Sequence, residues 1–500
     1  MVLAVVGSSA VLAAGWSAPG AGATVFRLAV SATARTRPLP AGFLGLALEY
    51  RGIPALVNPT QTRAVDPVLV SLIRNLVPGG RPVLRIGGQS SDRTWWPLPG
   101  TRPPGITYAL SPAWLRSAQA LAQATDAHLI LGVGLEADRP RIDAVEAAHL
   151  LSGLGRRYVS ALEIGNEPEL YTSTPWYRVL DGSVVPWYET TGAPVFARGP
   201  GYGPGTFAGE FRRALTALPD VPIAGPATGN LPWLGALTGS LRRSSRLRLL
   251  TWHAYGLNQC VTDPASSQYP SVPNLLAPAA SRAFVDGIAP DVALAHRAGA
   301  GFRVAEMNSV TCNGRVGVSD TFASALWLLD ALFTIAGDGV DGVNIHTFPG
   351  AANGLFDFTQ TAAGWRGIVH PLYYGALMFS QAAPAGSRLL RIRSDRQDAI
   401  RAWATLAPDR RVRVLLINDD LASPALALVR GPVSAGAAAL ERLRARSAYA
   451  TTAVTLGGRT FGTRTATGVL APPILQTVSP RAGVYRVTLP PGSAALVTMR

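Results

Sequence analysis

Short apolar runs alternate with amphipathic segments along most of the chain. The runs are rich in leucine and β-branched residues and end at glycine, proline or polar residues, as strands buried on both faces do. The eight runs that predict strands are 42–50, 82–88, 127–133, 158–164, 221–226, 247–255, 301–309 and 342–347.

Amphipathic segments that predict helices follow most of these strands. In 66–76 the apolar residues share one helical face and Asp66 is the expected cap, while Ser111 and Pro112 open a helix that ends at Ala124. The other predicted helices are 142–154, 207–218, 281–300, 321–336 and 371–380. This alternation predicts an α/β fold, a (β/α)8 TIM barrel over residues 37–385.

The pattern changes after about Gly386, where short apolar segments are separated by turn residues. These segments predict a C-terminal antiparallel β-sandwich over residues 386–500. An alternating segment within 24–36 precedes the barrel and is expected to join the sandwich. The stretch 172–205 is long, aromatic and rich in glycine and proline, so it predicts an irregular loop that faces the substrate.

A carboxylate follows the fourth predicted strand. Glu167 lies in the segment 162–171 (LEIGNEPELY), where Pro168 cannot donate to a strand ladder and disfavours a helical conformation at Glu167. The carboxyl ends of parallel barrel strands form the ligand-binding face, so Glu167 is expected at the mouth. For this segment alone, a turn with solvated glutamates is an equally good interpretation.

Glu306, near the end of the seventh strand, would face Glu167 across the mouth, as glycoside hydrolysis requires of its two carboxyl groups. In a retaining scheme Glu306 attacks as a carboxylate, while its negative charge favours a protonated Glu167. Asn166 could bind the hydroxyl next to the reacting carbon, and Arg85 and Tyr255 could keep Glu306 ionised and oriented.

Several segments resemble a known family. Residues 166–168 (NEP) and 305–308 (AEMN) resemble the catalytic pair of the large retaining glycosidase clan built on this barrel. Residues 251–255 (TWHAY), 318–327 (VSDTFASALW) and 415–418 (LLIN) resemble glycoside hydrolase family 79, the β-glucuronidase and heparanase family. The resemblance implies a barrel with an appended sandwich that cleaves β-linked uronic acids from glycans or glycoconjugates.

By position, the resemblance implies that Glu167 is the acid/base and Glu306 the nucleophile. It also implies a subsite for the non-reducing sugar lined by Glu49, Asn166, Tyr255 and His346. Hydrogen bonding at strand ends without a ligand is the alternative for Glu49 and His346. Arg85 could instead form a structural ion pair, or do both, and His253 could be a packed histidine or a contact.

One feature departs from the family pattern. Members that bind glucuronate commonly present a tyrosine hydroxyl and glycine amides to the sugar carboxylate from the loops after the last two strands. Here those loops offer Gly314 and Gly317 but no tyrosine. Arg315 is expected to supply charge instead, since guanidinium matches carboxylate well. The alternatives are a barrel glycosidase for a neutral sugar (a xyloside, arabinoside or β-glucan) and a secreted glycan-binding protein without turnover.

The chain is strongly basic, with 45 basic against 30 acidic residues, a formal charge of +15 and no lysine. A cationic surface favours anionic partners. Because no nucleic-acid motif accompanies the charge, a carbohydrate, including an anionic polysaccharide, is the expected partner and nucleic acid is not. No metal-binding or nucleotide-binding motif is present in the sequence, and the expected chemistry requires no cofactor or metal.

Residues 1–23 carry no charged side chain, and small residues at 20–23 follow an apolar run. They predict a signal peptide or an uncleaved anchor, and therefore a secreted or extracytoplasmic protein with no stable membrane span after processing. Cys260 and Cys312 follow the sixth and seventh strands. A disulfide between these neighbouring loops is expected in an exported protein, and two free thiols are the alternative.

Overall fold

The apolar runs form a closed barrel of eight parallel strands. The computed structural model describes residues 24–57, 65–100, 102–241, 244–361, 364–396, 400–432 and 436–499. The barrel strands, β1 to β8 in chain order, are Leu44–Glu49, Val83–Gly87, His128–Val133, Val159–Ile164, Ile223–Thr228, Leu247–Leu257, Gly301–Val310 and Gly342–His346. Each strand pairs in parallel with the next, and β8 pairs with β1. The TIM-barrel prediction is confirmed.

Helices surround the barrel and cover the outer face of its strands. The principal ones, α1 to α8, are Pro67–Leu76, Pro112–Thr125, Pro140–Leu154, Pro204–Ala217, Leu231–Leu241, Ala289–Arg297, Phe322–Gly337 and Pro371–Ala382. Asp66 caps α1 by accepting the Val68 amide at 2.8 Å, and Ser111 caps α2 by accepting the Trp114 amide at 3.2 Å. Both caps were predicted, because such side chains satisfy amides that a first helical turn leaves unpaired.

One helix prediction was wrong and one helix was missed. The helix predicted over 281–300 is divided between a short helix, Pro278–Arg282, and α6, with Gly287 left-handed (φ +87°) between them. Helix α5 was not predicted, because its proline and glycines lower local helix propensity and tertiary packing decides the structure. The remaining short helices, all in loops, are Tyr50–Gly52, Ile53–Leu56, Gly88–Ser90, Pro168–Leu170 and Val272–Leu276.

The long segment after β4 is ordered, which corrects the predicted irregular loop. It contains a three-stranded antiparallel sheet of Tyr177–Leu180, Ser183–Val185 and Ala193–Val195. Asp181 and Gly182 are both left-handed and form a two-residue hairpin turn, for which an Asp-Gly pair is a strong sequence signal. Two smaller strand pairs in other loops are Thr94–Trp95 with Tyr108–Ala109 and Phe356–Thr361 with Gly364–Val369.

The C-terminal residues form the predicted β-sandwich. Its strands are Arg388–Ser394, Arg401–Leu406, Val412–Asn418, Ala425–Arg430, Ala438–Arg444, Thr455–Leu456, Gln476–Val478, Val484–Leu489 and Ser493–Met499. An N-terminal strand, Thr24–Ala34, pairs antiparallel with Arg388–Ser394 and parallel with Ala425–Arg430. The Trp403 ring stacks on Phe333 of α7 with 5.6 Å between centroids, so the sandwich packs directly on the barrel.

The segment predicted as a signal peptide or anchor, residues 1–23, lies outside the described residues. Among the helices described, none combines the length and the apolar character needed to cross a bilayer.

Candidate active site

Glu167 and Glu306 meet at the mouth of the barrel. Glu167 lies just beyond the end of β4, and Glu306 lies within β7. A carboxylate oxygen of each is within 4.8 Å of the other, and their side chains are 28% and 9% exposed. This limit on the oxygen–oxygen distance is compatible with the spacing of about 5 to 5.5 Å between the carboxyl groups of retaining glycosidases.

The backbone at Glu167 is left-handed, with φ +47° and ψ +57°. This conformation is sterically strained for a residue with a side chain. Such strained residues are common at functional sites, where the surrounding structure holds them in place. Here the Glu167 amide donates to the Ala227 carbonyl of β5 at 2.8 Å, and Pro168 begins the turn that follows. Strand β5 thus helps to hold Glu167 towards the mouth.

Two donors hold the Glu306 carboxylate. The Arg85 guanidinium donates through Nη1 to Glu306 Oε2 at 2.5 Å, and the Tyr255 hydroxyl donates to Oε1 at 2.6 Å. Arg85 lies on β2 and is fully buried. Both oxygens of Glu306 are therefore held by side chains on two other barrel strands, β2 and β6.

The charges around Glu306 favour its ionised form. Burial raises the pKa of Glu306, but the charges of His253, His346 and Arg85 and the hydrogen bond from Tyr255 lower it more, so that the net pKa is depressed. Burial lowers the pKa of His253 and of His346, yet the Glu306 charge raises both above the ordinary value. Glu306 is therefore an anion suited to nucleophilic attack.

His253 contacts the other carboxylate. Its Nδ1 lies 3.0 Å from Glu167 Oε1, so this histidine is a contact of the site and more than a packed side chain of the rim. The opposite nitrogen, Nε2, is buried and has no hydrogen-bond partner among the described residues. His253 can therefore orient Glu167.

Asn166 is positioned from two sides. Its side-chain oxygen accepts from Arg85 Nη2 at 3.0 Å, and its backbone N–H donates to Asp92 Oδ2 at 3.1 Å. Asp92 also accepts from the Tyr171 hydroxyl at 2.8 Å and from the Leu135 amide at 2.6 Å. This buried carboxylate joins the loops after β2, β3 and β4 and fixes the segment that carries Asn166 and Glu167.

Glu49 and His346, from the ends of β1 and β8, lie side by side. Their nearest charged atoms, Glu49 Oε1 and His346 Nε2, are 3.6 Å apart, an ion-pair distance beyond hydrogen-bond range. Glu49 Oε2 accepts the Ser90 amide at 2.9 Å. Both ring nitrogens of His346 are buried and have no hydrogen-bond partner among the described residues, and the predicted contact with a sugar stays a prediction.

The loop after β7 corrects one prediction. The Gly314 amide donates to the Thr311 carbonyl at 3.2 Å, so it is not free to bind a carboxylate. A Cβ at this glycine would lie 2.8 Å from the Asn353 backbone, and its φ is +83°; Gly314 is needed for close packing of two loops. Arg315 instead stacks over the Tyr269 ring at 5.1 Å and donates to its hydroxyl at 3.2 Å.

Cys260 and Cys312 are free cysteines in the structure, so the predicted disulfide is not formed there. The two thiols are nevertheless neighbours. Partial burial raises the pKa of Cys312, and a hydrogen bond with the Cys260 side chain also raises it. The loops are joined by Thr311, whose hydroxyl accepts the Gln259 amide at 3.0 Å. The predicted pairing stays a prediction for the oxidised protein.

Glu167, His253 and Glu306 together offer donor atoms that could hold a metal ion. The surroundings of Glu306 oppose this, because the Arg85 cation is 2.5 Å from one of its oxygens and repels a second cation. The contacts fit an ionised nucleophile better than a metal ligand. That the chemistry requires no metal or cofactor stays a prediction.

Comparison with known proteins identifies the fold. No protein-family model and no curated protein matches the sequence. A solved 4-O-α-L-rhamnosyl-β-D-glucuronidase from Fusarium oxysporum 12S matches with a TM-score of 0.72 and 20% identity, over 95% of this chain and 100% of that one. A GH51 arabinofuranosidase from Xanthomonas axonopodis pv. citri matches with a TM-score of 0.65 and 14% identity, over 95% and 99%. The chain has the fold of these glycoside hydrolases.

Three residues of the site were missed in the sequence. Glu163 and Asp92 are buried acids whose partners are distant in the chain, and a single sequence does not show which residues those partners are. Tyr269 follows β6, and the search for a tyrosine covered only the loops after β7 and β8. An isolated acid within an apolar strand, as at Glu163, is the one available signal, because buried charges are rarely unpaired.

Proposed function

We propose that this protein is a retaining glycoside hydrolase that removes a β-linked uronic acid from glycans or glycoconjugates, in the manner of the β-glucuronidases of glycoside hydrolase family 79. The observation that carries the proposal is the pair of carboxylates within 4.8 Å at the barrel mouth. One of the pair is held as an anion by Arg85 and Tyr255, and the other is the more exposed.

In the first step Glu306 attacks the anomeric carbon of the sugar. The bond from that carbon to the leaving oxygen breaks, its electron pair goes to the leaving oxygen, and Glu167 supplies the proton. Arg85 and Tyr255 orient Glu306 for the attack. Asn166, held by Arg85 and Asp92, binds the hydroxyl next to the reacting carbon.

In the second step Glu167, now ionised, takes a proton from water as the water oxygen attacks the same carbon. The ester bond breaks and its electron pair returns to Glu306 as the carboxylate. Such positioned proton transfer contributes about 10² to 10⁴-fold to the rate. Two displacements at one carbon leave its configuration unchanged.

A guanidinium on the loop after β7 supports the preference for a uronic acid. Arg315 and Tyr269 form a contact pair on adjacent loops and together offer a charged fork and a hydroxyl to a carboxylate. A tyrosine hydroxyl, which the loops after β7 and β8 lack, would come from Tyr269 in the loop after β6. The Fusarium enzyme with this fold, a β-D-glucuronidase by name, supports the same substrate class.

A panel of nitrophenyl glycosides tests the proposal, with Glu306→Ala as the inactive control. We expect nitrophenol release from the β-glucuronide and little from the β-xyloside, α-arabinofuranoside or β-glucoside. Release of nitrophenol from a neutral glycoside alone would show that the substrate carries that neutral sugar and not a uronic acid. No release from any member of the panel, together with saturable glycan binding, would indicate a binding protein that has lost turnover.

A further inference from the structure

A buried acid beneath the proposed catalytic pair has no part in the two-step scheme. Glu163 lies on β4, four residues before Glu167, with its side chain fully buried. Its Oε2 lies 2.5 Å from Arg85 Nε, while its Oε1 accepts no hydrogen bond from any described residue. Among the described residues, the Arg85 guanidinium is therefore the hydrogen-bond partner of the Glu163 carboxylate.

Arg85 uses three nitrogens for three different partners. Nε donates to Glu163, Nη1 to Glu306 and Nη2 to Asn166. Because the guanidinium is planar, a partner fixed at Nε sets the plane in which the two Nη groups point. Glu163 thereby aims Arg85 at the nucleophile and at the amide that binds the sugar.

The charge balance around Arg85 changes during a retaining cycle. In the free enzyme its cation faces two carboxylates. When Glu306 bonds to the anomeric carbon and the leaving group departs with the proton of Glu167, Glu306 becomes a neutral ester. Arg85 then has a single carboxylate partner and remains sealed from water. A buried cation without a partner is costly, so the remaining carboxylate decides how well the ester is tolerated.

We propose that Glu163 is a positioning residue and the permanent counter-ion of Arg85. The charge of Glu163 stabilises the protein while Glu306 is esterified. The inference rests on the proposed retaining hydrolysis. Without the Glu163 charge, the free enzyme keeps a matched Arg85–Glu306 pair, whereas in the ester state the Arg85 guanidinium contacts no carboxylate. Removing the charge should therefore slow ester formation and not ester hydrolysis.

The two steps can be measured separately with 2,4-dinitrophenyl 2-deoxy-2-fluoro-β-D-glucuronide, which forms a slowly hydrolysed ester. The variants are Glu163→Gln, which keeps the shape and removes the charge, and Glu163→Asp, which keeps the charge. Ester formation is followed by the mass of the intact protein and by loss of activity. Ester hydrolysis is followed by return of activity after the reagent is removed.

For Glu163→Gln we expect ester formation slower by about 100-fold, the scale set by leaving one partner of a buried ion pair alone, and reactivation at least as fast as in the unaltered protein. Glu163→Asp should form the ester within about tenfold of the unaltered rate. Equal slowing of both steps, or an unchanged rate of ester formation, would overturn the counter-ion role. Absence of any adduct on the unaltered protein would instead refute the proposed function.

Discussion

At the residue scale, Glu306 differs from Glu167 in the number of positive and donor groups that face it. Arg85 and Tyr255 contact Glu306 directly, and the histidines on β6 and β8 lower its pKa through their charge. Glu167 contacts only His253 among these groups and is more exposed. The two carboxyl groups thus have the unequal surroundings that a nucleophile and an acid require.

The charge of His253 gives the first prediction. Because His253 lowers the pKa of Glu306, replacing it by glutamine should raise that pKa. Glu306 would then be protonated at a higher pH, so the acidic limb of the kcat/KM profile should move to higher pH. The profile is measured with the nitrophenyl glucuronide. The matched control is His149→Gln, at a histidine of α3 that stacks on Trp96. If the acidic limb does not move in His253→Gln, His253 does not lower the pKa of Glu306.

Arg315 gives the second prediction. Arg315→Ala should raise KM for the glucuronide by about 10- to 100-fold, since a hydrogen bond to a charged group is worth about 1.5 to 3 kcal/mol. The neighbouring change Val316→Ala, at a side chain that is 79% exposed, should leave KM unaltered. Initial rates over a range of glucuronide concentrations measure both. An unchanged KM in Arg315→Ala would show that another group binds the sugar carboxylate.

At the scale of elements, the barrel could be predicted because its strands are buried on both faces and read as continuous apolar runs. The caps at Asp66 and Ser111 could be predicted because capping is a local interaction. Helix α5 and the division of the helix before β7 could not be predicted, since packing outweighs propensity there.

The same contrast holds in the site. The positions at strand ends indicated Glu167 and Glu306, but the partners of Arg85 depend on contacts between distant strands.

The loops after β6 and β7 give the third prediction. They bring Cys260 and Cys312 together, and Thr311 joins them by hydrogen bonds. In protein recovered from an oxidising compartment we expect the two cysteines to form a disulfide. A peptide map under non-reducing conditions should contain the linked peptides, and a map after reduction should not. Two alkylatable thiols in the unreduced protein would contradict the expectation.

At the scale of the whole molecule, buried acids link folding to pH. Burial raises the pKa of Asp66 to about 6, and burial with the charge of Asp330 raises that of Asp419 to about 7. A carboxyl group whose pKa is raised by folding stabilises the folded state while it is protonated, and this contribution is lost as pH rises through the folded pKa. Both groups therefore favour the folded protein near pH 5 over pH 8.

We accordingly expect the Tm to fall between pH 5 and pH 8, by roughly 2 °C for each 1 kcal/mol lost. In Asp66→Asn the fall should be smaller, because asparagine caps a helix about as well as aspartate but does not ionise. Differential scanning calorimetry at the two pH values measures both proteins. A Tm that rises from pH 5 to pH 8 would contradict this prediction.

The central claim is that Glu167 and Glu306 act as a retaining pair on one glycosidic bond. The most direct test is the configuration of the first sugar released from p-nitrophenyl β-D-glucuronide, followed by ¹H NMR before mutarotation. The β-anomer should appear first and the α-anomer only later, by mutarotation. Initial release of the α-anomer would contradict the account, because it requires a single displacement by water.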